Sequence, residues 1–425
     1  VTDQTDHRAE NQVELSRRRL LGTVGAAGAA GLALGAAGGA GVYRTVADPG
    51  TVSSDAKALT TVGATQAMFH GKHQAGITTP LQSRGHLAAF DLAPGAGRKE
   101  AAALLRRWSA TAKALMAGKP STDDTGIALD AGPSSLTVTF GFGRTFFDRT
   151  GLAARRPVQL DPLPAFSSDA LDPKRSEGDL WVQIGADDAL VAFHALRALQ
   201  KDAGAAAAVR WQMNGFNRSA GATAEPMTAR NLMGQVDGTG NPKPTDADFD
   251  RRIFVPAGAP GGQDWMAGGS YAVVRRIRML LDDWEKLPLD EQEKVIGRRK
   301  SDGAPLTGGT ETSELDLDRT GPDGRPVIPD NAHSRISAPE QNGGAAMLRR
   351  PFSFHDGIGP DGTPDAGLLF VCWQADPLRG FVPVQRKLDR GDALSAFIRH
   401  EASGLFAVPG GPAEGEYVGQ RLLEA

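Results

Sequence analysis

The chain has 425 residues, with 47 Lys and Arg against 50 Asp and Glu, a formal net charge of -3 and one cysteine. That balance lacks the electrostatic footprint of a general nucleic-acid binder, and a lone Cys372 excludes an intrachain disulfide framework or a thiolate-held zinc or iron–sulfur cluster. The length allows two or three domains. The first element in chain order is an address: Ser16-Arg17-Arg18-Arg19-Leu20-Leu21 sets an arginine pair before a weakly apolar Ala/Gly run over 20–42, ending near Thr45-Val46-Ala47. This is the layout of a twin-arginine export signal, so 1–50 is expected to be a signal peptide and the mature protein periplasmic, cell-surface or extracellular. A permanent membrane anchor is the rival reading, weakened because Ala and Gly contribute little transfer free energy.

Beyond the leader, Gly85-His86-Leu87-Ala88-Ala89-Phe90-Asp91-Leu92 reads as a strand, and 99–116 places Ala101, Leu104, Leu105, Trp108, Ala112 and Leu115 on one helical face. Strands at 135–140 and 179–184, a helix at 188–202 and a strand at 209–213 complete a β, α, β, β, α, β order. That order is the ferredoxin-like split unit, with helices over one face of an antiparallel sheet. The second half repeats the theme with a strand at 269–279, a helix beginning at 280–287, a strand at 367–374 and a helix at 392–400. The fold class is therefore α+β, with domains at 51–225 and 226–425. A Gly/Pro/Asp-rich segment over 300–344 interrupts the second domain, and a loop of that length is more often functional than decorative.

Chemistry-bearing residues are sparse. His333 lies in that irregular segment, in Asn331-Ala332-His333-Ser334-Arg335-Ile336, with Arg349-Arg350 shortly after; by spacing alone it also reads as a surface-loop histidine. None of His73, His86 or His194 forms an i,i+4 zinc pair, and no HExxH, GxSxG, P-loop or GxGxxG occurs in a convincing context. Gly234-Gln235-Val236-Asp237-Gly238-Thr239-Gly240-Asn241-Pro242 sets a carboxylate among residues that let backbone approach a ligand, and it equally fits an Asx turn.

Taken together, Gly234 to Thr239, His333 and Met347-Leu348-Arg349-Arg350 resemble the dye-decolourising peroxidase family. His73-Gln74-Ala75-Gly76-Ile77, Thr139-Phe140-Gly141-Phe142-Gly143, Thr228-Ala229-Arg230-Asn231-Leu232 and Phe381-Val382-Pro383-Val384-Gln385 are similar to its exported branch, so the resemblance runs over about 70–408. It implies a pair of ferredoxin-like domains with one haem b held mainly by the second. It also implies reduction of hydrogen peroxide through an oxo-ferryl intermediate, and oxidation of organic donors such as dyes and phenols.

Carried over by position, His333 matches the proximal iron ligand. Asp392 matches the carboxylate that accepts its other ring proton, with Asp389 a rival close in sequence. Asp237 matches the distal proton shuttle and Arg349 the distal cation. Gly238, Thr239 and Gly240 match a segment packed against the haem edge, and Arg335 is a candidate propionate partner. The family often has Asn-Pro-Arg shortly after the ligand. This chain has Ala338-Pro339-Glu340 there, which replaces a cationic haem contact with a carboxylate, and Pro351 stands where glycine is usual. Bulky donors would need a surface aromatic as electron relay, for which Trp265, Tyr271, Trp284, Trp373 and Tyr417 are candidates, although Trp373 and Cys372 read as core. The expected partners are peroxide, an organic reductant and the twin-arginine export machinery; a homo-oligomer and a metal-uptake system stay open. Alternatives to peroxidase are a deferrochelatase-like release of iron from haem, and a haem-binding protein without turnover.

Overall fold

The computed structural model describes residues 60–223, 226–259 and 263–424; the expected export signal at 1–50 lies outside them. Strands β1 (Arg84–Leu92), β2 (Thr137–Phe142), β3 (Leu180–Ala186) and β4 (Ala207–Phe216) come from the first half of the chain. The second half supplies β5 (Ser270–Met279), β6 (Leu348–Arg349), β7 (Phe352–Ile358), β8 (Pro364–Gln374) and β9 (Ile398–Val408). Among the helices that frame the sheet and the loops carrying the polar residues are α1 (Arg98–Met116), α2 (Ala189–Ala203), α3 (Leu289–Ile296), α4 (His333–Ser337) and α5 (Phe381–Gly391).

Local signals explain the first half. Glu100 accepts the Gly97 N–H to open α1, and Asp188 accepts the Val191 N–H to open α2, so both helices begin on a carboxylate that satisfies an orphan donor. Alternation then sorts each strand's side chains to two faces. Leu180, Val182 and Ile184 of β3 join Leu104, Leu105 and Trp108 of α1 in an outer core, while Trp181 faces the other way.

Every ladder is antiparallel, in the order β5-β9-β2-β3-β1-β4-β7-β8-β6, and β5 also pairs with β8. That last pairing closes the sheet into a barrel. Going one way round the barrel, the first half contributes β2-β3-β1-β4 and the second β7-β8-β5-β9, the same order twice. The halves join through two narrow seams, Phe142↔Ala407 and Phe216↔Ser353. Inside sit Trp181, Trp211, Phe352, Phe354, Trp373 and Phe406, with Trp181 stacked on Phe406 at 5.4 Å. Room for the rings comes from missing side chains: a Cβ on Gly404 would lie 2.6 Å from the Phe406 ring, and one on Gly85 2.6 Å from Phe352.

A third cluster lies on the outer face of β5 and β8, where Met279 and Leu368 meet Met233, Trp284 and Leu394. Leu232, Ile277, Phe370 and Phe397 pack against it while keeping part of their surface accessible, so this face is a wall rather than a sealed core. Among the described residues no helix is long and apolar enough to cross a membrane.

The C-terminal end departs from the sequence expectation. In place of a helix at 392–400, α5 occupies Phe381–Gly391, a 3-10 turn follows at Ala393–Phe397, and β9 begins at Ile398. Pro383 misleads, since it falls in the first turn of α5 where its missing N–H costs nothing. Ser403 and Gly404 interrupt the apolar pattern of β9, although β9 pairs with β5 along its whole length. β6 and β7 were also not expected; Pro351 separates them, yet the register onto β8 runs unbroken from Leu348↔Trp373 to Phe352↔Leu369.

Candidate active site

His333 is the first residue of α4, held at the end of the long irregular segment by the Ala393 N–H donating to Asn331 O. Its Nδ1 donates to Asp392 Oδ2 at 2.7 Å, and Asp392 Oδ1 accepts the Leu394 N–H at 2.9 Å. The Asp392 side chain is buried, whereas 30% of the His333 side chain stays accessible. Burial pulls the imidazolium down, but the Asp392 charge and hydrogen bond outweigh burial and hold His333 above the ordinary imidazole range. Arg349 opposes and Asp237 adds to the rise, so His333 shares one electrostatic site with both. Asp389, the rival, is committed elsewhere: it accepts from the backbone and hydroxyls of Ser167 and Ser168 at 2.9–3.0 Å.

The facing side is a loop over 228–241. Asn231 Oδ1 accepts the N–H of Met233 at 3.0 Å and of Gln235 at 3.3 Å, folding the chain back so that the Asp237 N–H reaches Ala229 O. Gly234 takes φ +79°, which only glycine adopts without strain. Glu311, from the long segment, accepts the hydroxyls of Thr228 and Thr239 at 2.6 and 2.8 Å and pins the loop from outside. Asp237 then presents Oδ1 to Arg349 Nη1 at 2.9 Å and Oδ2 to Asn231 Nδ2 at 3.3 Å. Arg349 comes from β6, on the same sheet face as its pair partner Cys372. Cys372 is fully buried, and burial pushes its thiol up, consistent with a small core residue rather than a nucleophile. Arg298 stands close to both Glu311 and Arg349; burial holds it below the ordinary guanidinium range, with Glu311 opposing.

The structure thus brings His333, Asp392, Asp237 and Arg349 into one site. Other sequence candidates fall less centrally. Gly238 and Thr239 are half-buried in the Asp237 loop and Gly240 is exposed; Ala338 is buried, while Pro339 and Glu340 are exposed. Arg335 spends Nε and Nη2 on Ile328 O at 3.0 and 2.9 Å, with Nη2 also donating to Leu317 O, and Nη1 stands 3.9 Å from Asp330. These bonds make it a brace for the long segment. The surface-relay expectation is corrected: Trp265, Tyr271, Trp284, Trp373 and Tyr417 are all buried, Tyr417 the least at 8% exposed. Asn231, Asn241 and Glu311 drew no role from sequence reasoning, although Asn231 and Asn241 lie in the runs singled out around Asp237. A cavity of about 820 Å³ between Lys72, Phe254 and Arg421 contains none of the site residues; ion-pair geometry, not volume, marks the site.

The N-terminal part of the Dyp-type peroxidase family matches residues 74–217 and its C-terminal part matches 228–413. A dye-decolorizing peroxidase of Thermobifida fusca is 45% identical over 423 residues, 96% of this chain and 97% of its own. The chain belongs to the Dyp-type peroxidase family. A deferrochelatase of Escherichia coli K12 is 34% identical over 436 residues, 98% of this chain and 99% of its own. Ferric DtpA from Streptomyces lividans shares 78% identity and superposes with a TM-score of 0.84 over 86% of this chain and 99% of that one. As a Dyp-type peroxidase the chain is an oxidoreductase, built from two domains whose antiparallel strands close into a barrel.

Proposed function

We propose that this chain is an exported haem b peroxidase that reduces hydrogen peroxide and oxidises organic donors such as dyes and phenols. His333 would be the proximal ligand, with Asp237 and Arg349 on the other side. The observation that carries this reading is the His333–Asp392 pair at 2.7 Å sharing one site with the Arg349–Asp237 pair at 2.9 Å. The donor set fits haem. Among the described residues no three His, Cys, Asp or Glu side chains converge to hold a bare ion, whereas iron carried in a macrocycle needs one protein nitrogen and an apolar wall. His333 Nε2 bonds nothing among the described residues, and Ile277, Phe370 and Phe397 supply half-exposed apolar surface. When bound, the haem supplies an iron that exchanges electrons with peroxide and with a donor. Each half of the chain is a ferredoxin-like domain in this reading, divided near 225, with the haem held mainly by the second.

The residues divide the work by charge. Asp392, buried beside His333, accepts from Nδ1, which fixes the tautomer with the proton on Nδ1 and makes Nε2 a stronger donor. Cleaving the O–O bond of peroxide requires a proton to leave one oxygen and reach the other, so that water departs. Asp237 can accept and return that proton. Arg349 stabilises the negative charge that develops on the departing oxygen.

The relatives named deferrochelatase support a second reading, release of iron from haem. Haem-loaded protein turned over with peroxide and a phenol separates the two: a retained Soret band with oxidised product supports peroxidase, and metal-free porphyrin fluorescence without product supports the other. Failure to bind haem contradicts both. The export reading rests on Arg17 and Arg18, outside the described residues, with the twin-arginine machinery as partner. Replacing both by lysine should keep the protein inside the cell, and unchanged export would refute it.

A further inference from the structure

β6 is a two-residue strand that meets β8 through one edge, with Arg349 opposite Cys372. In an antiparallel ladder the N–H and C=O of one residue point to the same edge, and successive residues alternate edges. The N–H and C=O of Arg349 point away from β8, to an edge where no strand among the described residues continues the sheet. Asn241 takes that place: its Nδ2 donates to Arg349 O at 2.8 Å, and the Arg349 N–H donates to its Oδ1 at 3.0 Å. The carboxamide thus supplies both partners that a neighbouring strand's backbone would supply.

Asn241 lies four residues after Asp237 in the same loop. That loop is fixed independently of β6 by Asn231 and by Glu311 through Thr228 and Thr239. We infer that Asn241 is a positioning residue, coupling the loop that carries Asp237 to the strand that carries Arg349 and so setting the separation of carboxylate and guanidinium. The inference rests on the reading of Asp237 and Arg349 as the peroxide-facing pair. Without the carboxamide, Arg349 keeps its main-chain place only through β8 and the adjoining Arg350 N–H to Val371 O bond. Its side chain can then shift relative to Asp237, and misplacement of about 1 Å costs roughly 100-fold in a reaction that depends on alignment.

The test is a double-mutant cycle on the haem-loaded full chain, read as the second-order rate with hydrogen peroxide and as the affinity of the ferric protein for cyanide. Asn241→Ala should lower the peroxide rate about 10- to 100-fold and weaken cyanide binding, with haem content unchanged. In an Arg349→Ala background the same substitution should change the rate by less than about twofold, because the group it positions is gone. A purely structural role would instead give equal losses in both backgrounds, and that outcome overturns the inference, as does a wild-type rate in Asn241→Ala. Should Asn241→Ala fail to load haem, Asn241→Asp keeps the acceptor for the Arg349 N–H and loses only the donor. An intermediate rate is then expected, and a wild-type rate contradicts. If Arg349→Ala itself reacts at the wild-type rate, the reading of the pair fails and the inference falls with it; a slow Arg349→Ala beside an unimpaired Asn241→Ala sinks the inference alone.

Discussion

Asp392→Asn would leave His333 with a hydrogen-bond partner of nearly the same shape and no charge. The imidazole then loses the anion that holds it above its ordinary range and becomes a weaker donor to iron. Haem should leave the variant about 10- to 100-fold more readily, measured by transfer to an excess of a haem-scavenging apoprotein. Asp389→Asn, which disturbs the Ser167 and Ser168 contacts and leaves the Asp392–His333 bond in place, should retain haem like the wild type. The two carboxylates show how far a sequence reaches at this scale. They lie three positions apart, and nothing in the local pattern separates them; α5 ends at Gly391, so Asp392 turns back toward Asn331 and His333 while Asp389 stays on the helix. Asp237, Arg349 and His333 were legible because each sits in a short run that resembles the family. Glu311 and Asn241 were not, because their roles exist only where segments distant in sequence meet.

At the scale of elements, β9 carries a histidine that folding keeps neutral. His400 is buried; burial pushes its imidazolium down to about 3, the Arg275 guanidinium adds to the effect and Asp389 opposes it. A histidine lowered on folding contributes stability that is present above its unfolded pKa of roughly 6.5 and is lost as pH falls from there toward the folded value. By pH 5 that loss is about 2 kcal/mol. His400→Gln removes the titration, so the stability gap between wild type and variant should shrink by about 2 kcal/mol between pH 7.5 and pH 5, measured by urea unfolding; a gap independent of pH would refute it. The strand itself escaped sequence reading because its evidence is tertiary. β5 on one edge, and Ala170 and Asp172 donating to His400 and Glu401 carbonyls on the other, keep 398–404 extended. By contrast α1 was legible through its helical period, and β2 and β3, buried on both faces, as short β-rich runs bounded by turns.

Over the whole molecule, closure of the barrel depends on aromatic rings fitting a limited interior. Gly404→Ala would set a methyl carbon 2.6 Å from the Phe406 ring, which is stacked on Trp181 and has no vacant space to enter. Overpacking of this kind costs about 1–3 kcal/mol, so the thermal midpoint should fall by several degrees, and an unchanged midpoint would contradict the packing described. The sequence offered the repeated strand order but not the closure, since β5–β8 pairing and the seams at Phe142 and Phe216 link residues far apart in the chain. That closure carries β6 and β8 to the place where Arg349 meets Asp237. The central claim is that this pair and His333 form one peroxide-reducing site. It is tested most directly by stopped-flow mixing of haem-loaded protein with hydrogen peroxide from acidic to neutral pH. Arg349→Ala should slow the reaction about 100- to 1,000-fold, Asp237→Asn should slow it as well, and His333→Ala should abolish it. Wild-type rates in both Arg349→Ala and Asp237→Asn would contradict the account.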